Sequence, residues 1–584
     1  MAPQSGHRDG TSPLNMLIPR GIPRVSIYGA AAAVVVLIMA ALILIPMLRM
    51  IARAFMVDGV VNFAGAMSVL REPWLPRVLM NTAIAIGAST LIALVIGSVM
   101  AWLNERTDAN LGIVGLILPV IPLLMPGIAL SIGWAFIGAP RVGFLNGLLA
   151  VIPGLGADGL NLGVNIYSWA GLIWVYSLHG VPYVYLVVSA SLRNLDPSLE
   201  EASRISGAGL WRTLRRVSLP AIKPALFASA LLVIISGFAL FSIPTIIATT
   251  AEIDILAVRI VRLLRNDFPP RMDQAVVLGL IMLLVIGTTW LVQRRVAAGG
   301  HFVTIGGRVA SASRITMGRW RLPAQGLMIG YLACASLVPL LALTVVALQP
   351  FWTPSVEWSR LTVDNFKTVL VEDRMTAAAF KNSLFLSVSG ATLAMIIAAV
   401  AAIYLAQRQG GLSKAVDAVM KAPATISSLV LSVGFLVSFS GPPFFLAGTL
   451  LLLLLAYIVI HIPPGSIAAN AAATQVGADL REASYVAGAG EGRTVRRIVV
   501  PLMLPGLAAG WAMVFVHMMG DLSASALLAG LKNPVIGFAI LEIWEMGSFG
   551  VLAAFSTVMC LVITLVVLLM LWLVRASARR GHAA

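Results

Sequence analysis

Residues Glu201-Ala202-Ser203, Gly207-Ala208-Gly209, Thr213, Arg215-Arg216, Leu219-Pro220 and Pro224 form a pattern that the chain repeats. The second copy reads Glu482-Ala483-Ser484, Gly488-Ala489-Gly490, Thr494, Arg496-Arg497, Val500-Pro501 and Pro505. Every pair is 281 residues apart (Glu201 to Glu482, for instance), close to half of the 584-residue chain. A constant offset over more than twenty positions is hard to reach by chance, and self-similarity on this scale means a duplicated half rather than a solenoid.

Each copy lies between apolar runs long enough to cross roughly 30 Å of hydrocarbon. Such runs fall at 26–48, 81–103, 113–138, 166–191, 223–248 and 274–293, and again at 323–349, 381–406, 422–440, 444–466, 503–528 and 549–574. Twelve spans in two groups of six predict an all-α membrane protein, because lipid forces each backbone polar group to be satisfied within its own segment. The division is 1–300, carrying the loop 192–223, and 301–584, carrying the loop 470–502. The first span has over 20 apolar residues after Arg20 and Arg24, longer than the apolar region of a cleaved leader, and is expected to be retained.

Composition agrees. Hydrophobic residues make up 59% and charged residues 11%, against about a quarter charged in a soluble domain. The net charge of +16 is a topological signal. With the N-terminus inside, the inner segments carry 26 Lys and Arg against 10 Asp and Glu, and the outer segments 14 against 14. The whole excess then sits on one face, as the positive-inside rule requires, with both termini cytoplasmic. Nucleic acid is not needed to explain it.

The repeat extends past the loops. Asn81-Thr82 opens the second span and Asn382-Ser383 the eighth, 301 residues on, while His179-x-x-Pro182 and His461-x-x-Pro464 occupy the fourth and tenth. The first half holds extra residues in the Gly-rich outer segment 139–165, which has little counterpart near Gly441-Pro442-Pro443.

Within each loop, Asp196, Glu200 and Glu201 favour a helix start, where the macrodipole is positive. Gly207 and Gly209 break that helix, and Pro220 and Pro501 are expected to end the segment that follows. The product is a short helix on the inner membrane face, with Arg215-Arg216 or Arg496-Arg497 towards lipid phosphates. A loop that only set topology would need charge and would have no use for a fixed Gly-x-Gly.

Here the chain resembles a known family. Glu-Ala-Ala-x-x-x-Gly followed by a Leu-Pro stop marks the membrane subunits of bacterial ABC importers of the type I fold; this chain has Ser203 and Ser484 at the third position. In that family the motif is a coupling helix that docks in a cleft of the ATP-binding subunit. The resemblance therefore implies one contact at Glu201, Ala202, Gly207 and Gly209, and another at Glu482, Ala483, Gly488 and Gly490. It implies a fused permease of the bacterial inner membrane with two ATP-binding subunits and a periplasmic solute-binding protein as partners. It covers spans two to six and eight to twelve. Within the family the chain is most similar to ferric-iron permeases, through Phe241-Ser242-Ile243-Pro244-Thr245 with Val258-Arg259-Ile260, and through Asp521-Leu522-Ser523-Ala524-Ser525-Ala526-Leu527-Leu528. Iron permeases commonly show Glu-Leu-Pro-Ala-Thr at the latter place, where this chain has Asp521 and Ser523. Related fused permeases move thiamine, polyamines or phosphonates.

The sequence holds no catalytic constellation. None of its six lysines follows a glycine, so no Walker A loop is present, and ATP and Mg are expected on a partner subunit, with no cofactor in this chain. Gly154-x-Gly156-x-x-Gly159 matches a dinucleotide fingerprint only formally, since no strand precedes it. No CxxC or HExxH occurs, and no metal site is expected.

Four ionisable residues remain as candidates for the solute path. His179 lies 14 residues before Arg193, about 20 Å along a helix, and His461 is placed similarly in the second half. An ionisable group at that depth is a functional hypothesis, or else a histidine bonded to a neighbouring helix. His517 and Asp521 stand i,i+4 on the eleventh span, predicting one shared face that either lines the path or bridges helices. The outer segment 350–380, with Trp352, Glu357, Trp358 and Asp364, reads as an interface anchor with docking of a binding protein alongside. A competing class, the ion-coupled secondary transporter, also builds twelve spans from two related halves.

Overall fold

The computed structural model describes residues 27–57, 60–112, 114–115, 120–152, 163–299 and 314–581. The segment 1–25, residues 153–162 of the Gly-rich stretch and with them its formal fingerprint at 154–159 lie outside the described residues. Apart from a ribbon of Met56–Val57 with Val60–Val61, the described chain is helices and their connections.

The first repeat contains α1 (Ile27–Phe55), α2 (Leu75–Arg106), α3 (Gly127–Gly138), α4 (Trp169–Asn194), α5 (Pro197–Ile205), α6 (Leu219–Ala239), α7 (Ser242–Thr250), α8 (Leu256–Arg265) and α9 (Met272–Gly299). The second contains α10 (Gly318–Leu348), α11 (Arg374–Gln407), α12 (Ser428–Phe439), α13 (Leu450–Gln475), α14 (Ala478–Val486), α15 (Val500–Met519), α16 (Ser523–Leu528), α17 (Ile536–Glu545) and α18 (Phe549–Gly581). The two offsets read in the sequence have one cause. From α3 to α12 the offset is 301 (127 to 428), and from α4 to α13 it is 281 (169 to 450), so 20 extra residues lie in the first repeat between α3 and α4. They include the helix Phe144–Val151.

Among the described residues ten helices are long and apolar enough to span a membrane, or eleven if one bent pair counts as a single span. The third and ninth expected spans are the broken ones. In the first repeat Val120–Leu123 is separated from α3 by Pro126; in the second, Gly411–Thr425 meets α12 at 101°. Hydropathy cannot register these breaks, because apolar residues continue through them while Pro122, Pro126 and Pro423 remove backbone donors.

Pro220 and Pro501 do the opposite of what the sequence suggests: the helices run through them, from Leu210 to Ala239 and from Glu491 to Met519. Each proline stands one residue beyond a five-residue π-turn, Leu214–Ser218 or Val495–Val499. Proline lacks the N–H of an ordinary helical bond and its ring crowds the carbonyl four residues back; widening the preceding turn relieves both. The same device precedes Pro339, after Ala333–Leu337.

The repeats exchange their first helices. A Cβ on Gly133 of α3 would lie 2.7 Å from the Pro339 carbonyl oxygen of α10, and one on Gly434 of α12 would lie 3.1 Å from Pro46 Cβ of α1. Small residues at such crossings let helix backbones approach where lipid supplies no hydrophobic drive. Polar bonds pin both crossings. Trp134 Nε1 donates to the Cys334 carbonyl at 3.1 Å, and an Arg49 Nη1–H donates to the Ser438 carbonyl at 2.6 Å.

The repeated Asn-Thr and Asn-Ser dipeptides also acquire a reason. Thr82 Oγ1 accepts the Leu256 N–H at 2.9 Å and Ser383 Oγ accepts the Ile536 N–H at 2.8 Å, so each hydroxyl satisfies an orphan donor at the start of α8 or α17. Beside them Asn81 and Asn382 donate to the carbonyls of Asp254 and Pro534.

Candidate functional site: two repeated loops and a polar seam

Asp196 caps α5 by accepting the Ser198 N–H at 2.9 Å. That bond holds its carboxyl below the usual carboxylate range. The helix stops at Ile205, and Gly207 turns the chain at φ +79° into Gly209, which precedes the short helix Leu210–Thr213. The second loop repeats the geometry: α14 stops at Val486, Gly488 has φ +79°, and Gly490 precedes Glu491–Thr494. Left-handed backbone explains Gly207 and Gly488. Gly209 and Gly490 have ordinary negative φ and act at helix starts instead.

The serines at the third position of each motif have a partner. Ser203 Oγ lies 3.0 Å from Thr213 Oγ1, and Ser484 Oγ lies 2.8 Å from Thr494 Oγ1, a hydroxyl pair that closes each turn on itself. What the loops leave uncovered is also repeated. Leu199 and Leu480 are each 51% exposed, Ile205 is 88% exposed and Val486 89%. Single exposed apolar residues need no explanation, but the same two positions bared in both copies make matched apolar faces. Arg215, Arg216, Arg496 and Arg497 are exposed on the adjoining π-turns.

The four intramembrane candidates converge on the seam between repeats. His461 Nε2 of α13 lies 3.4 Å from Asp521 Oδ2, both side chains largely buried. The rings of His461 and His517 are 6.2 Å apart, and His179 of the first repeat is within electrostatic reach of His517. His517 Nδ1 lies 2.8 Å from the Met513 carbonyl, which only accepts, so that nitrogen carries the proton and Nε2 is the open one.

Asp521 differs from expectation in one respect. α15 ends at Met519 and Gly520, so Asp521 is past the helix rather than one turn along the face of His517. Its Oδ1 accepts the N–H of Ala524 at 2.8 Å and of Ser525 at 3.3 Å, starting α16. Gly520 is required there, because a Cβ would lie 2.8 Å from Pro126 Cβ at the break before α3. The broken span of one repeat thus meets the sharp corner of the other beside the polar cluster. On the first-repeat side a cavity of about 10 Å³, room for one water, is lined by His179, Tyr176, Tyr183, Ser89 and Ser236. No group of three or more His, Cys, Asp or Glu among the described residues is arranged to hold a metal ion.

Trp352 is half-buried, its ring packed at 4.8 Å from Phe136 and 5.1 Å from Phe549. Trp358 is exposed.

Sequence reasoning passed over Arg106 and Ser218, and read Glu200 only as an acid favouring the helix start. Arg106, at the end of α2, is buried with its Nε 3.2 Å from Glu200 Oε2, and donates from Nη2 to the carbonyls of Leu192 at 2.8 Å and Leu195 at 3.0 Å. Ser218 Oγ donates to Glu200 Oε1 at 2.6 Å.

Comparison with known proteins gives a consistent result. Residues 93–298 and 374–581 both match the family described as binding-protein-dependent transport system inner membrane component. The ferric transport system permease protein FbpB of Actinobacillus pleuropneumoniae is 22% identical over 527 residues, 87% of this chain and 72% of the relative. The probable ABC transporter permease protein y4fN of Sinorhizobium fredii is 24% identical over 513 residues, 86% and 88% of the two chains. The Fe(3+)-transport system permease protein FbpB 2 of Haemophilus influenzae is 23% identical over 494 residues, 83% and 87%.

Proposed function

Because the chain belongs to the family of binding-protein-dependent transport system inner membrane components, matched twice along its length, we propose that it supplies both halves of the membrane-spanning unit of an ATP-driven importer. The family consists of multi-pass inner-membrane transport subunits that work with ATP-binding and substrate-binding proteins and carry no catalytic site of their own. In the proposed assembly one ATP-binding subunit, holding ATP and Mg, seats on Leu199 and Ile205 with Glu201, Ala202, Gly207 and Gly209. A second seats on Leu480 and Val486 with Glu482, Ala483, Gly488 and Gly490. The observation that carries this is the repeated loop geometry: the same left-handed glycine at φ +79° and the same bared apolar positions, 281 residues apart.

Closure of the two ATPases would then rock the repeats about the seam, opening it to one side and the other in turn. The loops and both termini would face the cytoplasm, in keeping with the Lys and Arg excess on that side. His179, His461, His517 and Asp521 would line the path. Ferric iron is the favoured solute, supported by the names of two relatives and by this His and Asp cluster; thiamine, a polyamine or a phosphonate are the other candidates. With no three-ligand metal group among the described residues, iron would pass the cluster without a preformed chelate.

Uptake into vesicles decides the class. Transport that requires both added ATP and a co-purified ATPase supports the importer. Uptake by this chain alone, driven by an ion gradient, would establish a secondary transporter instead. Mass spectrometry of whatever the periplasmic partner carries identifies the solute.

A further inference from the structure

The two loops match in backbone and bared surface but not in how they are fastened. In the first, Arg106 ties four pieces of chain into one buried knot: the end of α2 through its own backbone, the end of α4 through Leu192 and Leu195, α5 through Glu200, and through Glu200 the Ser218 that leads into α6. Neighbouring Glu105 adds a second tie from α2 to α4, accepting from Ser189 Oγ at 2.6 Å.

At the offsets that relate the repeats, Arg106 becomes Gln407, Glu105 becomes Ala406, Glu200 becomes Arg481, Ser218 becomes Val499 and Ser189 becomes Asn470. The acid is replaced by a base and its basic partner by an amide. Arg481 donates one hydrogen bond, to the Ala406 carbonyl at 3.3 Å, and Gln407 Nε2 is buried without a hydrogen-bond partner. A cleft of about 460 Å³ opens where the knot would be, lined by Gln407, Arg408, Arg481, Glu482, Tyr485 and Glu491.

We propose that the two coupling loops transmit unequally: the Arg106–Glu200–Ser218 knot makes the first a rigid lever of α2 and α4, while the second, lacking it, shifts against its own helices. Arg106 and Glu200 are positioning residues in this scheme. Removing one partner of a buried ion pair strands the other charge, so the first loop depends on the pair far more than the second depends on Arg481. The inference rests on the importer reading only for its consequence in transport; the unequal fastening is a property of the chain alone.

Hydrogen–deuterium exchange on the purified full-length chain tests the fastening without any ATPase. Residues 197–213 should exchange about tenfold more slowly than 478–494. Glu200→Gln should remove that difference, and Arg481→Gln should leave 478–494 within about twofold of wild type. Gln407→Glu, which gives Arg481 an acidic partner, should slow exchange in 478–494. Equal protection in the two wild-type loops overturns the proposal, as does an unchanged 197–213 in Glu200→Gln. In vesicles with the ATPase bound, Glu200→Gln should raise ATP hydrolysed per solute imported at least fivefold, while Arg481→Gln should leave it within about twofold of wild type. An unchanged ratio sinks the lever, whereas failure of the wild-type chain to bind any ATPase sinks the importer reading and leaves the exchange result standing.

Discussion

Replacing Gly207 and Gly488 together by valine isolates the coupling turn from the rest of the fold. Both glycines sit at φ +79°, and a Cβ at either would meet no other atom within 4 Å. The substitution therefore creates no clash, and its cost is that of left-handed backbone for an L-residue, about 1–2 kcal/mol, with a β-branched side chain at the upper end. At 1.4 kcal/mol per factor of ten, each turn should lose its native shape roughly tenfold more often. In the proposed importer both loops must be seated at once, so uptake should fall by about two orders of magnitude. Asparagine, which tolerates the left-handed region, should cost far less at the same positions. Thermal unfolding in detergent should move by only a few degrees, since no packing is disturbed. The assay is ATP-dependent uptake in proteoliposomes, with ATPase recovery on the purified chain measured in parallel. Uptake and recovery within twofold of wild type in the double valine variant would refute the reasoning.

Two further outcomes follow from the packing. Gly133→Ala should destabilise the detergent-solubilised protein by roughly 1–3 kcal/mol, because its Cβ would press on the Pro339 backbone; Gly434→Ala should cost less, since its nearest contact is the flexible end of Met47, and thermal unfolding compares the two. In a double-mutant cycle, Ser484→Ala and Thr494→Val should couple by about 0.5–1.5 kcal/mol, read from exchange across 484–494; additivity would show that the 2.8 Å hydroxyl contact does not hold the turn.

Much of this architecture was legible in the sequence because duplication writes each feature twice. The repeated glycines announced a break after each loop helix, though not its left-handed backbone, and Asn81-Thr82 with Asn382-Ser383 stood out as a repeat, though not that the hydroxyl would satisfy the first N–H of a helix some 150 residues or more away (82 to 256, 383 to 536). Where the reading went astray, neighbouring backbone decided the outcome. Proline at 220 and 501 normally ends a helix, but the π-turns before it are made by hydrogen-bond register, which side-chain type does not encode. The corner at Gly520 took Asp521 off the helix because Pro126, from the other repeat, occupies that space. The Arg106–Glu200 knot was hidden by the same symmetry that revealed the rest. It exists in one copy only, and its trace in the sequence is a charge reversal, Glu200 to Arg481, inside an otherwise faithful repeat.

The exchange of first helices sets a timetable for biogenesis. α3 is finished when the ribosome reaches residue 138, yet the Pro339 face that fills the groove over Gly133 is made about 200 residues later (133 to 339). At roughly 5–20 residues per second, the first repeat waits on the order of ten to forty seconds with a bared small-residue groove inside the membrane. Through that interval the Gly133 face of α3 has only lipid or the insertion machinery to lie against. The early half of the protein is thus completed by the late half, and a chain cut short between them would leave the groove open for good.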